Sequence, residues 1–270
     1  LILQPSTPEQ DGTEAVPARA SVFSLQGSEM VQIHAVEADN SIVRYPSLLF
    51  GRISDTKNAV VVDGAKADSS MTTQIFHLDD NGVFRNSPDG VNTETHNTDF
   101  YRPISSFLSQ DINGDGILEF PVLSWLPTYS VTTEKPDSTV FLVAWCVFDE
   151  EQGKKLRMNT LMNLTEGYYF ELPATLNGKI TAINDTSSRT VSYDPVEYDE
   201  DEEHTPRMLS QIFSIRVFTA SAWEQRKELG GYTMLAEQGD YVYAISIATT
   251  EKKYDNALKK IQDSFQLISG

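Results

Sequence analysis

The sequence predicts a mixed fold, with a β-rich N-terminal domain followed by an α+β C-terminal domain. From residue 21 onwards, short runs of β-branched and aromatic residues alternate with Asp-Asn, Asp-Gly and Asn-Gly turns, which is typical of an antiparallel meander. From residue 162 onwards, strand patterns are joined by helical patterns. We therefore predict a linker or tether at residues 1–20, a β-rich domain at residues 21–161 and an α+β domain at residues 162–270.

Residues 1–20 are rich in Pro, Gln, Glu and Ala, which is the composition of a tether. The strands of the β-rich domain follow this segment, separated by turns such as Asp63-Gly64 and Asp80-Asn81-Gly82. The predicted strands are Val22–Leu25, Met30–Val36, Ser41–Tyr45, Ala59–Val62 and Thr73–Leu78. Short strands at this spacing favour a sandwich, a barrel or the blades of a propeller.

Composition and charge exclude several classes of partner. The chain has 270 residues, of which 40% are hydrophobic, enough for a packed core in one large or two ordinary domains. Its 39 acidic and 21 basic residues give a net charge of −18, which repels phosphate backbones and anionic lipid surfaces. We therefore expect no binding to nucleic acid, and a link to the membrane only through a removed N-terminal anchor.

The single cysteine and the first residue bear on the compartment. Cys146 lies in the apolar run Val140–Phe148 and is predicted to be a buried thiol, with no internal disulfide and no Cys-His zinc spacing. The chain begins at Leu1 without a methionine, which suggests that a targeting segment has been removed. We therefore expect an extracellular or cell-surface location, with a lipid anchor on a Gram-positive bacterium.

The most informative motif runs from Asp111 to Phe120. It places oxygen-bearing side chains at positions 1, 3, 5 and 9 and a glycine, Gly116, at position 6, where a sharp turn is needed. This spacing wraps a short loop around a hard cation, and Ca²⁺ is the predicted cofactor. The predicted ligands are the side chains of Asp111, Asn113, Asp115 and Glu119 and the backbone carbonyl of Ile117.

The surroundings of the loop decide which kind of calcium loop it resembles. A helix–loop–helix calcium hand needs an acid at position 12, where this chain has Val122 in a strand-like run. The pattern D-x-N-x-D-G-x-x-E before an apolar strand instead resembles the calcium loops of FG-GAP repeats, the blades of integrin-type β-propellers. A closed propeller needs about four blades or more, so this half is predicted to be a partial propeller, a sandwich-like antiparallel meander or a fragment completed by another chain. The alternative is a turn that binds no metal.

The C-terminal part combines strands with helices. Its predicted strands are Tyr168–Pro173, Lys179–Ile183, Thr190–Tyr193, Gln211–Phe218 and Tyr241–Ile247. A capping box at Ser221–Glu224 predicts the start of a helix that ends at Gly230-Gly231. In the last segment, Tyr254, Leu258, Ile261 and Phe265 recur at helical spacing and predict one apolar face of a terminal helix.

This order of elements resembles that of PsbP-like domains. The quoted segments are GYYFELP, GDYVYAISI and the closing ALKKIQDSFQLI, and the likeness covers residues 162–270. It implies an α/β/α sandwich with an antiparallel sheet, a module that is found at the C-terminus of exported Gram-positive lipoproteins. The resemblance implies a fold and no activity.

Catalytic motifs are missing from the sequence. It contains no G-x-S-x-G, H-E-x-x-H, G-x-x-x-x-G-K-[ST] or G-x-G-x-x-G pattern. The acidic run at residues 197–203 is interpreted as a solvated loop, with a second Ca²⁺ or a basic partner as the alternative. Trp125 is the one tryptophan predicted to form a surface platform for a sugar, since Trp145 and Trp223 are interpreted as core residues.

Two function classes follow from these patterns. The first is a non-enzymatic extracellular binding or interaction module that uses Ca²⁺ to make its β-scaffold rigid and presents a surface to a protein, a peptide or a glycan. The alternative is an extracellular hydrolase or accessory enzyme acting on glycan or peptide, with a pocket that contains His96, Asp99 or Tyr101 beside a perturbed carboxylate.

Overall fold

The computed structural model describes residues 1–9, 12, 14–87, 100–102, 106–127, 140–198 and 206–268. Several antiparallel sheets dominate it, which confirms the β-rich, antiparallel part of the predicted mixed fold. The chain divides into two compact units. Unit 1 contains Leu1–Val122 and Trp145–Arg157, and unit 2 contains Leu123–Ala144 and Met158–Gly270.

The elements are as follows. The strands are β1 (Ile2–Gln4), β2 (Arg19–Gln26), β3 (Glu29–Glu37), β4 (Ile42–Arg52), β5 (Asn58–Lys66), β6 (Met71–Leu78), β7 (Phe84–Ser87), β8 (Tyr101–Arg102), β9 (Phe120–Ser124), β10 (Val140–Asp149), β11 (Gly153–Asn163), β12 (Tyr168–Glu171), β13 (Ile180–Asp185), β14 (Thr190–Tyr198), β15 (Pro206–Met208), β16 (Phe213–Thr219), β17 (Thr233–Gln238), β18 (Tyr241–Ile247) and β19 (Gln266–Leu267). The helices are α1 (Ala220–Arg226) and α2 (Asp255–Asp263), with single 3-10 turns at Ala174–Leu176, Lys227–Leu229 and Lys252–Tyr254.

Unit 1 contains two antiparallel sheets, one of order β1-β2-β3 and one of order β4-β5-β6-β7 in which β8 also pairs with β6. They share an apolar cluster in which Ala18 and Ala20 pack with Val62 and Phe76. Residues 1–20, for which a tether is predicted, include β1 and the fully buried Ala18.

A further sheet has the strand order β19-β12-β11-β10-β9. The turn between β10 and β11 follows Asp149, whose carboxylate accepts the backbone N–H groups of Glu151 and Gln152. Trp145–Arg157, which contains this turn, belongs to unit 1. Cys146 of β10 is buried as predicted, and burial raises the pKa of its thiol.

Unit 2 contains a sheet of order β13-β14-β16-β18-β17, in which β15 also pairs with β14. Within its core, Tyr193 of β14 lies opposite Phe213 of β16, and their rings stack with centroids 4.5 Å apart. Helix α2 packs Leu258 and Ile261 into the same core, which confirms these two positions of the predicted apolar face. Burying each of these two side chains contributes about 1.5–3 kcal/mol. The other two predicted positions, Tyr254 and Phe265, also pack against this core but lie just outside the ends of the helix.

The start of α1 differs from the prediction. The helix begins at Ala220 and its N-cap is Thr219, whose side chain accepts the backbone N–H of Ala222. The predicted cap, Ser221, is wrong because an N-cap residue must keep an extended backbone, and here β16 runs up to Thr219 itself. Gly230 ends the following 3-10 turn at φ 71°, in agreement with the predicted stop.

In the described part of the chain, no helix has the length and apolarity that a membrane crossing requires.

Candidate metal centre

The loop from Asp111 to Glu119 is closed at its base by backbone hydrogen bonds. Gln110 and Glu119 exchange two of them, with N···O distances of 2.9 and 2.8 Å. The backbone N–H of Leu118 donates to the carbonyl of Arg52 at the end of β4, at 2.8 Å. The second half of the loop is therefore fixed to a sheet of unit 1 as well as to its own first half.

A buried ion pair anchors the chain just before the loop. Arg102 donates to Asp63 across 2.6 Å, and both side chains are fully buried. The same Asp63 carboxylate accepts the backbone N–H and the hydroxyl of Ser109, at 2.7 and 2.8 Å. Because Ser109 directly precedes Gln110, the position of the loop base depends on this pair.

The carboxylate of Asp111 organises the loop backbone. Its two oxygens accept the N–H groups of Gly114, Asp115 and Gly116 at 2.7, 3.1 and 2.8 Å. Gly114 and Gly116 have φ values of 77° and 80°, a backbone region that favours glycine. A Cβ atom on Gly116 would lie 2.9 Å from a guanidinium nitrogen of Arg52, so a side chain at position 6 would be strained at this φ and would also have to shift the end of the Arg52 side chain.

Three of the predicted ligands meet inside the loop. The Asn113 side-chain nitrogen lies 3.1 Å from a Glu119 carboxylate oxygen and 3.3 Å from an Asp115 carboxylate oxygen. The Asn113 amide oxygen accepts the backbone N–H of Asp115 at 2.8 Å. Positions 3, 5 and 9 therefore converge as the spacing predicts, with an amide group between two carboxylates.

Glu119 has the most unusual environment in the loop. Its side chain is fully buried and accepts the backbone N–H of Ile112 at 3.1 Å. Burial, together with the nearby charges of Asp115 and Asp111, raises the pKa of Glu119 to about 7. A cation bound in the loop would favour the ionised form and offset this cost.

Two arginines contact the loop from distant parts of the chain. Arg157 of β11 donates to the Asp115 carboxylate at 2.7 Å, and this hydrogen bond lowers the pKa of Asp115. Arg52 donates to the backbone carbonyls of Asp115 and Gly116 at 2.9 and 3.2 Å. These arginines lie 42 and 63 residues from Asp115, and no sequence pattern pointed to either of them.

The two other predicted ligands, Asp111 and Ile117, make hydrogen bonds within the loop. Asp111 directs both oxygens to backbone amides, and the backbone N–H of Ile117 donates to Asp115 at 2.9 Å. In the part of the chain that the structure describes, no three His, Cys, Asp or Glu side chains are arranged to hold a metal ion between them. An ionised carboxylate has about four lone-pair directions, so an oxygen that accepts an amide N–H can also bind a cation.

The chemistry of the donor set fits calcium. Three carboxylates, one side-chain amide and one backbone carbonyl are hard oxygen donors, which Ca²⁺ and Mg²⁺ prefer. Rotation of the Asn113 amide would place its oxygen beside the two carboxylates, where all three groups could bind one cation. This rotation would break the 2.8 Å hydrogen bond from the backbone N–H of Asp115. The existing backbone turn already brings three of these donor side chains, those of Asn113, Asp115 and Glu119, next to one another.

The other residues singled out in the sequence lie apart from the loop in the chain. Trp125 is 46% exposed, and Trp145 is fully buried as predicted. The interpretation of Trp223 as a core residue is wrong, because it is only half-buried on the short helix α1, none of whose residues is buried. His96 and Asp99 lie outside the described residues, as do residues 199–203 of the acidic run. Tyr101 lies beneath the Lys66 ammonium, which is 5.5 Å from the centre of its ring.

Unit 2 contains a separate cavity of about 280 Å³, close to the lower limit for small-molecule sites. Its apolar wall includes Leu176, Val196 and Leu209, and its charged rim includes Lys179 and Lys253.

Fold and loop together define a β-rich protein of antiparallel sheets with a candidate cation-binding loop in unit 1. Comparisons with protein-family models, with curated proteins and with solved structures found no match.

Proposed function

We propose that this chain is a non-enzymatic, calcium-stabilised binding module of a secreted or lipid-anchored bacterial protein. The observation that carries the proposal is the convergence of Asn113, Asp115 and the fully buried Glu119 within a loop whose turn requires Gly116. A buried carboxyl facing two other acids costs free energy unless a cation compensates for it. The proposed ligands of Ca²⁺ are Asp111, Asn113, Asp115, the carbonyl of Ile117 and Glu119.

Each residue has a separate part in this proposal. Asp111 holds the backbone turn through three amide hydrogen bonds, and Asn113 and Asp115 supply oxygens from its exposed side. Glu119 supplies a carboxylate from the buried side, next to β9. When bound, Ca²⁺ supplies two positive charges that offset the repulsion among the three acids.

Calcium binding here would stabilise unit 1 as a whole. The loop is attached to β4 through Arg52 and, through Ser109, to the buried Asp63. A ligand that binds only the folded state, present at 100 times its dissociation constant, adds about 2.7 kcal/mol to the free energy of unfolding. Extracellular calcium modules have dissociation constants of roughly 10⁻⁴–10⁻³ M, which suits a permanent brace outside the cell.

The finer architecture and the partner are part of the same proposal. Unit 1 would be a partial propeller or a sandwich-like meander of the FG-GAP kind, supported by two sheets that share one apolar cluster. Unit 2 would be a PsbP-like α/β/α domain, supported by its antiparallel sheet and by the packing of α2 on it. The partner would be a protein, a peptide or a glycan, and the exposed Trp125 would offer an aromatic platform to a sugar.

Thermal unfolding in excess EDTA and again in millimolar CaCl₂, with MgCl₂ as the control, tests the proposal. We expect Ca²⁺ to raise the Tm of one transition and Mg²⁺ to raise it less, because Mg²⁺ demands a smaller, near-octahedral site. Isothermal titration of the metal-free protein should give one calcium per chain. Equal melting curves in EDTA and CaCl₂, together with no heat of binding, would overturn the proposal.

A further inference from the structure

We infer that Arg157 is a tethered competing cation that sets the calcium affinity of the loop. This inference rests on the proposed function, and it concerns a residue that the calcium-loop pattern does not contain. The Arg157 guanidinium donates to Asp115 at 2.7 Å, on the same carboxylate oxygen that the Asn113 amide approaches. The other oxygen of Asp115 accepts the backbone N–H of Ile117 at 2.9 Å.

Both Asp115 oxygens therefore have partners, and only one of these partners is a charged side chain. The contact with Ile117 belongs to the loop backbone and is needed for its turn. The contact with Arg157 comes from β11 and joins two side chains, so it holds no backbone group of the loop. A calcium ion that uses this oxygen therefore meets a positive charge already bound to it, and either the repulsion between the two charges or the release of the guanidinium lowers the calcium affinity.

The exposure of the pair makes this exchange feasible. The side chains of Arg157 and Asp115 are 47% and 31% exposed. Exposed ion pairs contribute little to stability, since water solvates both charges when they separate. Such a contact is weak enough for calcium to displace and strong enough to change the affinity several-fold.

Arg52 differs from Arg157 in the atoms that it contacts. It donates to the carbonyls of Asp115 and Gly116 and to no carboxylate oxygen of the loop. It therefore supports the backbone turn and does not compete for a proposed side-chain ligand. Competition is specific to Arg157.

Removal of the Arg157 charge should consequently strengthen calcium binding. The loop has three acids, and calcium loops with a higher count of ligand charge bind the ion more tightly. In R157Q we expect the calcium Kd to fall roughly two- to tenfold, with the larger effect at low ionic strength. R157K retains a positive charge but lacks the planar guanidinium. We expect its calcium Kd to lie between those of the wild type and R157Q.

The experiment is isothermal titration of CaCl₂ into the metal-free full chain at low and at high NaCl concentration. The matched control is R207Q, because Arg207 forms an exposed ion pair of the same kind with Glu197 in unit 2. R207Q breaks the ion pair between Arg207 and Glu197, and this should leave the calcium Kd unchanged. Circular dichroism of each variant checks that the fold is retained.

The outcomes separate the inference from the proposed function. Tighter binding in R157Q than in the wild type and in R207Q supports the inference. Equal or weaker binding in R157Q, when the wild type binds calcium, overturns it and indicates that Arg157 orients Asp115 as an outer partner. If neither the wild type nor R157Q binds calcium, both the inference and the proposed function are wrong.

Discussion

Arg102 and Asp63 form a fully buried ion pair with an N···O distance of 2.6 Å, and Asp63 also holds Ser109 directly before the base of the Asp111–Glu119 loop. Removing one partner of a buried pair leaves the other charge without compensation, which costs about 3–5 kcal/mol. We therefore expect D63N to lower the free energy of unfolding of unit 1 by this amount in urea denaturation. S109A, which removes the hydroxyl contacts with Asp63 and Thr73 and keeps the backbone N–H, should cost only about 1 kcal/mol. Equal losses in the two variants would contradict this account.

Substitution of Glu119 by glutamine should have opposite effects with and without calcium. In EDTA, E119Q removes a buried negative charge near Asp111 and Asp115 while an oxygen remains for the N–H of Ile112, so the Tm should stay the same or rise. In millimolar CaCl₂ the same variant lacks a charged ligand, and the calcium-dependent rise in Tm should be mostly lost. A variant that is destabilised equally in both buffers would show that Glu119 has a packing role only.

The aspartates of the loop should be required for any response to metal. We expect D111A and D115A to melt identically in EDTA and in CaCl₂, while the transition of unit 2 is unchanged. Asp79 provides the matched control, because it accepts the backbone N–H groups of Asn81 and Val83 in a turn of unit 1 outside the motif. D79A should keep the calcium response of the wild type. A full response in D111A or D115A would exclude these residues as ligands.

Two glycines of the loop should differ in their tolerance of a side chain. Gly114 and Gly116 have φ values of 77° and 80°, so alanine at either position costs about 1–2 kcal/mol in backbone strain. Only at Gly116 does the added Cβ approach Arg52, at 2.9 Å. We therefore expect G116A to lower the free energy of unfolding more than G114A does in urea titrations. The reverse order would show that Arg52 moves away without cost.

Asp185 should make the stability of unit 2 depend on acidic pH. Hydrogen bonds from the side chains of Ser187 and Ser188 lower its pKa to about 2. Because the pKa is lowered in the folded state, the contribution of Asp185 is present above its ordinary value near 3.8 and is lost as the pH falls towards 2.

Tm measurements between pH 5 and pH 2 should therefore show a steeper fall for the wild type than for D185N. Replacing Ser187 and Ser188 by alanine should return the pKa of Asp185 towards its ordinary value, as read from NMR titration of the carboxyl carbon. An unchanged pKa in that double variant would contradict the assignment of the cause.

Local patterns were sufficient for a large part of the structure. The apolar face of α2 follows from the recurrence of Leu258 and Ile261 at helical spacing, and the buried Cys146 from its apolar run. The convergence of Asn113 with Glu119 also follows from spacing, since a loop that turns at a glycine brings these positions to one side. Such features depend on a few neighbouring residues, and their physics is contained in the chain itself.

The ends of strands and helices were less predictable. The residue at which one element stops and the next begins depends on how far each of the two neighbouring elements extends. Thr219 takes the N-cap from Ser221 since β16 continues until α1 begins. Residues 1–20 have the composition of a tether, and yet Ile2 lies opposite Ser21 in a sheet. Composition reports the average chemistry of a segment, while strand pairing depends on a partner elsewhere.

The sequence by itself determined the β-rich class, the helical face of the last segment and the donor chemistry of the loop. Only the tertiary structure brought Arg157 to Asp115, Arg52 to Gly116 and Arg102 to Asp63, across 42, 64 and 39 residues. The physical reason is that the interaction between two charges depends on the distance between them. For residues far apart in the chain, this distance is set only when the strands pair into sheets. The donor chemistry of the loop is therefore local, while its counter-charges and its anchor are products of the fold.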